Sequence, residues 1–220
     1  MHYDPEKNDH GLPQGPFKSC VLPRPIGWIS TISADGVSNL APYSQFQNLT
    51  FDPPYVMISI NQTTSGRRKD TTINIEQTGE FVYNMCTYDQ REAVNESSAE
   101  FPPDVDEFEV VGMTKAPSLK VKSLRVAESP IHFECVFCQT IRLPGAGKMG
   151  TVDVIIGKVV MVHIKDEFIT DGKIDVVKIR PLARLGYCDY TTVDSTFEMV
   201  IPGVKENASM LVGIHGAKQE

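Results

Sequence analysis

The chain lacks any apolar run approaching the roughly 20 residues that a membrane-spanning helix needs. Its N-terminal stretch, MHYDPEKNDHGLPQGPFK, has no basic start followed by an apolar core, so no secretion signal is expected. Basic residues are not in excess. Lys and Arg number 21 against 28 Asp and Glu, a net charge of −7 and a pI near 5.3. An acidic surface repels phosphodiesters, which argues against general nucleic-acid binding. The five cysteines are odd in number and loosely spaced, which fits free thiols in a reducing compartment, and a cytoplasmic location is expected. No Ser/His/Asp or Cys/His nucleophile pattern, internal repeat or low-complexity segment is present. What remains is 220 residues with 41 % hydrophobic content, enough for one domain with a packed core.

Most of that domain reads as β-structure. Residues 1–22 are polar and punctuated by Pro and Gly, as in an extended arm. Residues 26–33 are β-branched and strand-like, Ala34-Asp-Gly36 is a hairpin turn, and 37–42 return as a second strand. Residues 43–52 alternate aromatic and polar side chains, as in a loop or bulged strand. Residues 55–60 are a further strand. A helix is predicted over about 70–77, stopped by Gly79, followed by a strand over 80–86. A polar helix is expected over 89–99, and a helical turn near 105–111. Beyond them lie strands at 131–141 and 151–164, the second bent at Gly157, then a hairpin around Asp171-Gly172 and strands up to 190. Many strands, tight turns and few helices predict a mainly β fold, a small antiparallel barrel with inserted helices. The domain is placed at 23–190, with a tail at 191–220.

The most informative stretch is 55–71, YVMISINQTTSGRRKDT. A strand runs into a hydroxyl-rich loop, then Arg67-Arg68-Lys69, then a helix start at Asp70. Hydroxyls and backbone N–H groups donate, cations supply charge, and a helix N-terminus adds partial positive charge: a site for one phosphate group. Asn61, Thr63, Thr64, Ser65, Thr71 and Thr72 surround it. Trp28, Tyr43 and Phe46 supply apolar walls for a flat ring, with Ser30, Thr31, Ser44, Gln45 and Asn48 able to bond its edges.

Rival motifs are weaker. Gly145-Ala-Gly-Lys-Met-Gly150 matches the dinucleotide pattern, but a strand follows it where that pattern needs a helix. Strand alternation puts His132 and Cys138 on one face and Cys135 on the other, which favours core packing over a metal site. The acidic run 100–109 reads as a solvated surface.

Pro23-Arg-Pro-Ile-Gly-Trp-Ile-Ser-Thr31, Ala41-Pro-Tyr-Ser-Gln-Phe46, Asp52-Pro-Pro54, Arg68-Lys-Asp-Thr71 and Gly79-Glu-Phe-Val-Tyr-Asn84 occur in order, with Gly157-Lys-Val-Val and Arg180-Pro-Leu-Ala-Arg-Leu-Gly186 later. Together they resemble the flavin-reductase-like family of FMN-binding split-barrel proteins, over about residues 17–190. The resemblance implies a six-stranded antiparallel split barrel, a homodimer and FMN near the subunit interface, with FAD or riboflavin as conceivable substrates. It implies that the flavin ring lies against Trp28, Ser30, Thr31, Tyr43, Ser44, Phe46 and Asn48. The phosphate would lie at Ser59, Asn61, Ser65, Arg68, Lys69, Asp70 and Thr71. His163 or Tyr190 would cover a ring face, His163 being the one catalytic candidate. The implied activity is hydride transfer from NAD(P)H to flavin and onward to a small-molecule acceptor or a partner oxygenase. An FMN-binding electron carrier or redox sensor is the alternative, and pyridoxal phosphate or haem on the same barrel a third, with His215 as the haem-ligand candidate.

Overall fold

The computed structural model describes residues 1–199; most of the 191–220 tail, His215 included, lies outside them. The strands and helices follow the chain as β1 (Arg24–Pro25), β2 (Gly27–Ile32), β3 (Ser38–Tyr43), β4 (Phe46–Phe51), β5 (Pro54–Asn61), α1 (Asp70–Thr78), β6 (Glu80–Met85), α2 (Arg91–Glu96) and α3 (Glu107–Val110). The second half holds β7 (Lys115–Ala116), β8 (Arg125–Val126), β9 (Ile131–Leu143), β10 (Val152–Ile164), β11 (Ile169–Thr170), β12 (Lys173–Ile174), α4 (Val176–Ile179), β13 (Leu182–Gly186) and β14 (Asp189–Thr192). No helix among the described residues is long and apolar enough to cross a membrane.

Seven strands form one antiparallel sheet in the order β3-β2-β6-β9-β10-β5-β4. β3 and β4 are its two outermost strands, yet only Ser44 and Gln45 join them. So short a link spans at most about 11 Å, so the sheet must curl until its ends meet. The result is a split barrel with seven main-sheet strands where six were expected. β1, β13 and β14 make a separate three-stranded sheet beside it.

The interior follows from strand alternation. On β5, Val56, Ile58 and Ile60 are buried while their neighbours are not. They pack with Ile29, Phe46, Ile75, Phe81, Tyr83, Cys135, Ile155 and Val159. A second cluster, including Ile26, Trp28, Leu40, Val94, Phe108, Val126 and Leu182, fills the outer side of β2 and β3 beneath α2 and α3. β2 is therefore buried on both faces.

Gly79 ends α1 at φ +76°, the left-handed conformation that glycine adopts without a Cβ clash. The bend at Gly157 is a bulge. Ile156 pairs with Gln139 and Gly157 with Phe137, leaving Cys138 as the extra residue. A Cβ at Gly157 would lie 2.4 Å from the Phe81 ring, so the packing against Phe81 favours glycine there. Along β9, Cys135 packs in the interior cluster, His132 is buried on the other face against Val126 O, and Cys138 is exposed. Gly145 to Gly150 connects β9 to β10, strand to strand, with no helix after it.

Two strand carboxylates organise the segment between β7 and β8. Glu134 accepts backbone N–H bonds from Leu119, Lys120 and Val121, and Glu80 accepts from Lys122 and Ser123. Asn84 accepts from the Val126 N–H and donates to Trp28 O.

Candidate flavin site

The loop after β5 is closed by Thr63. Its N–H donates to Arg67 O (2.8 Å), its carbonyl accepts from Gly66 N–H, and its Oγ1 accepts from Arg67 N–H (2.9 Å). Gly66 turns the chain at φ +85°. The next residues run extended into α1, with Lys69 at φ −65° and ψ 146°. Side chains alternate in an extended segment, so the three cations do not act together. Arg67 and Lys69 face a small cleft of about 50 Å³, lined also by Asn39, Tyr43, Thr63 and Thr71 and by the 97–101 segment after α2.

Arg68 points the other way. Its Nη1 and Nη2 donate to Glu76 at 2.7 Å each, and its Nε donates to Asp153 at 2.9 Å. Both partners hold its guanidinium firmly protonated, Glu76 most of all. Its fork is filled by two carboxylates, and Arg68 does not line the cleft.

The floor of the cleft is a chain of hydrogen bonds. Tyr43 OH donates to Thr71 Oγ1 (2.8 Å), which donates to Asn39 Oδ1 (2.8 Å), and Asn39 Nδ2 donates to Glu107 Oε1 (2.8 Å). Glu107 Oε2 accepts from Leu40 N–H at 3.0 Å. Burial raises the carboxyl pKa of Glu107 and pushes the Tyr43 phenol well above its ordinary range. Glu107 is thus not part of a solvated acidic run, as its neighbours in sequence suggested.

Pro42 and Ser98 also border a larger trough of about 410 Å³. Ile26, Ser44, Val94, Asn95, Arg184, Cys188 and Tyr190 line that trough. The Arg184 guanidinium stacks 4.4 Å from the centre of the Tyr190 ring, and Arg24 lies opposite Arg184 across the β1–β13 pair. Arg24 Nε donates to Ser44 Oγ at 3.4 Å.

Among the predicted ring and phosphate contacts, Tyr43, Lys69, Asp70 and Thr71 line the cleft, and Ser44 and Tyr190 line the trough. Others do not. Trp28 is fully buried, with its Nε1 donating to Ser97 Oγ at 2.9 Å. Ser30 Oγ donates to Leu124 O and accepts from Asn84 Nδ2 (3.1 Å), and Thr31 Oγ1 accepts from Asn74 Nδ2 (3.1 Å). β2 is a central strand covered on both sides, so none of its side chains reaches the cleft. Phe46 is stacked on Tyr83, with 4.5 Å between ring centres and 6° between planes, and a Cβ at Gly27 would strike it. Its exposed edge belongs to a separate groove with Phe17 and Val21. Asn48 is exposed and accepts from Gln47 Nε2, Ser59 is half-buried on β5, Asn61 Nδ2 donates to Met149 O, and Ser65 Oγ pairs with Thr63 Oγ1. His163 Nε2 meets Glu134 Oε1 at 2.6 Å, edge-on to His132. It braces the 119–121 loop through Glu134 and lines neither the cleft nor the trough.

Sequence reasoning missed Asn39, Glu107, Arg184 and the 97–100 segment. The one local signal was Ser97-Ser-Ala-Glu100, small hydroxyl residues between a helix and Pro102-Pro103.

A profile of the family described as "Flavin reductase like domain" matches residues 19–182, most of the chain. The chain belongs to this family. The flavin-reductase-like chain is 38 % identical over 187 residues to an uncharacterized protein of Halalkalibacterium halodurans, covering 85 % of this chain and 90 % of the relative. Its fold is similar to nitrilotriacetate monooxygenase component B from Bacillus cereus, with a TM-score of 0.82, 29 % identity and coverage of 90 % and 98 % of the two chains. It is similar also to the 2-nitrobenzoate 2-nitroreductase of Pseudomonas fluorescens, with a TM-score of 0.77, 25 % identity and coverage of 92 % and 96 %. The flavin-reductase-like family is a flavin-binding one, with split-barrel members.

Proposed function

We propose that this chain is an FMN-dependent NAD(P)H:acceptor oxidoreductase of flavin-reductase type, acting as a cytoplasmic homodimer. The observation that carries this reading is the donor set of Thr64 and Lys69 at one end of the cleft, with a wider trough bordering it at Pro42 and Ser98. The anion-binding end is made by Thr64 and Lys69, and the trough beyond Pro42 and Ser98 is walled by Ile26, Val94 and Tyr190. That shape suits a phosphorylated chain ending in a flat ring. The donor set fits an anion, because it already receives a carboxylate, that of Glu100.

Bound FMN would supply two-electron chemistry, accepting hydride from NAD(P)H and passing electrons to free flavin, another small acceptor or a partner oxygenase. The protein's part is to bind and orient. Lys69 and the Thr64 N–H and hydroxyl would hold the phosphate, while Arg67 beside them is paired with the Asp70 carboxylate at 2.6 and 3.0 Å. The Tyr43–Thr71–Asn39–Glu107 chain fixes the cleft floor. Arg184 and Arg24 place positive charge near the trough, where it favours an anionic reduced ring, and Ser44 offers a hydroxyl to the ring edge.

The test is to titrate the purified protein with FMN, then add NADH and NADPH and follow flavin bleaching. FMN uptake with bleaching is expected, and Lys69→Ala should weaken FMN binding by about tenfold or more, since charge-assisted bonds are worth roughly 1.5–3 kcal/mol. A protein that takes up no FMN refutes the reading. FMN uptake without nicotinamide oxidation would assign an electron carrier instead.

A further inference from the structure

The carboxylate of Glu100 sits on the donors that the phosphate would need. Glu100 Oε1 accepts from Thr64 N–H at 3.0 Å and from Lys69 Nζ at 3.2 Å, and its Oε2 accepts from Thr64 Oγ1 at 2.8 Å. A backbone N–H, a hydroxyl and an ammonium converging on two oxygens form the kind of donor set that recognises a phosphate monoester. These bonds hold the Glu100 carboxyl below its usual range, Thr64 contributing most, so the group is charged at neutral pH. Glu100 comes from the 97–101 wall of the cleft, far from Thr64 in sequence, and it is not part of the loop it fills.

Two anions cannot share these donors. A bound phosphate must therefore displace Glu100, and the like charge of the displaced carboxylate remains in the cleft wall. We infer that Glu100 is a resident anion at the phosphate end, one that weakens binding of phosphorylated flavin selectively and makes the cofactor exchangeable. This rests on the flavin reading of the cleft. Riboflavin has no phosphate and leaves Glu100 in place, so its affinity is independent of that residue. Glu100 is a specificity-determining residue: it narrows the preference for FMN over riboflavin that the basic loop would otherwise give.

The experiment compares wild type with Glu100→Gln, which keeps the shape and removes the charge. Glu100→Ala is the second variant. FMN and riboflavin dissociation constants are measured by fluorescence titration, and thermal protection by inorganic phosphate is recorded for each protein. If the carboxylate holds the site closed about 80–90 % of the time, removing it tightens FMN binding by about five- to tenfold. The expected result is that gain for FMN in both variants, riboflavin changed less than twofold, and stronger protection by phosphate. Equal FMN affinity in all three proteins, or equal gains for FMN and riboflavin, overturns the inference. If FMN binds none of them, the flavin reading fails, and phosphate protection alone then decides whether Glu100 competes with an anion.

Discussion

Arg68→Ala separates a structural cation from a phosphate-binding one. The guanidinium makes two bonds to Glu76 and one to Asp153, and its side chain is 28 % exposed. Asp153 is the critical partner: its side chain is 3 % exposed, its Oδ1 has no hydrogen-bond partner, and the next cation, Arg142, is 3.9 Å away. Removing Arg68 leaves this carboxylate nearly uncompensated between β5 and β9. Breaking a buried pair from one side costs roughly 3–5 kcal/mol; the half-exposed Glu76 end places this case near about 3 kcal/mol. For a chain of this size, that lowers the melting temperature by about 6–12 °C. Calorimetry and urea titration measure the loss, and FMN titration well below the transition measures the site. The expected pattern is a large loss of stability with FMN affinity within about threefold of wild type, the reverse of Lys69→Ala. A melting temperature unchanged by Arg68→Ala, together with a tenfold loss of FMN affinity, would refute the assignment and return Arg68 to the phosphate.

Two further outcomes follow from buried groups. His132 is 2 % exposed, its Nδ1 lacks a partner, and burial pulls its pKa down to about 4 from an unfolded value of 6.5. The unfolded chain then takes the proton first, so stability is complete above pH 6.5 and declines as pH falls from there to about 4, by up to about 3 kcal/mol. Urea midpoints across that range should fall in the wild type and fall less in His132→Asn; parallel slopes would count against it. Gly157→Ala should cost about 1–3 kcal/mol by driving a methyl into the Phe81 ring, with partial rescue by Phe81→Leu in chemical denaturation. A neutral Gly157→Ala would mean that β10 shifts freely at its bulge.

What could be read from the sequence was what depends on neighbours in the chain. The α1 stop at Gly79, the bend at Gly157 and the strand–loop–helix around 55–71 each rest on residues a few positions apart. Side-chain direction was harder wherever the deciding partner is remote. Arg68 and Lys69 are adjacent and chemically alike, yet one is claimed by Asp153, 85 positions on, and the other faces the cleft. Glu107 looked solvated because its partner, Asn39, is 68 residues earlier. Trp28, Ser30 and Thr31 looked like a ring wall because their types suit one. Only the sheet order shows β2 to be central, with no face left for a ligand. The 46–51 segment, read as a loop or bulged strand, is a bulged strand that slips against β5 between Asn48 and Thr50.

Trp28 is the only tryptophan in the chain, and its indole N–H is tied to Ser97, at the start of the wall that carries Ser98 and Glu100. A single indole in a dry, fixed setting gives an emission spectrum that belongs to one place in the molecule. Movement of that wall alters the bond at the indole nitrogen, and a flavin in the adjoining trough would take up its excited-state energy. The residue that failed as a binding wall is thereby a built-in optical gauge of the cleft, readable without any label.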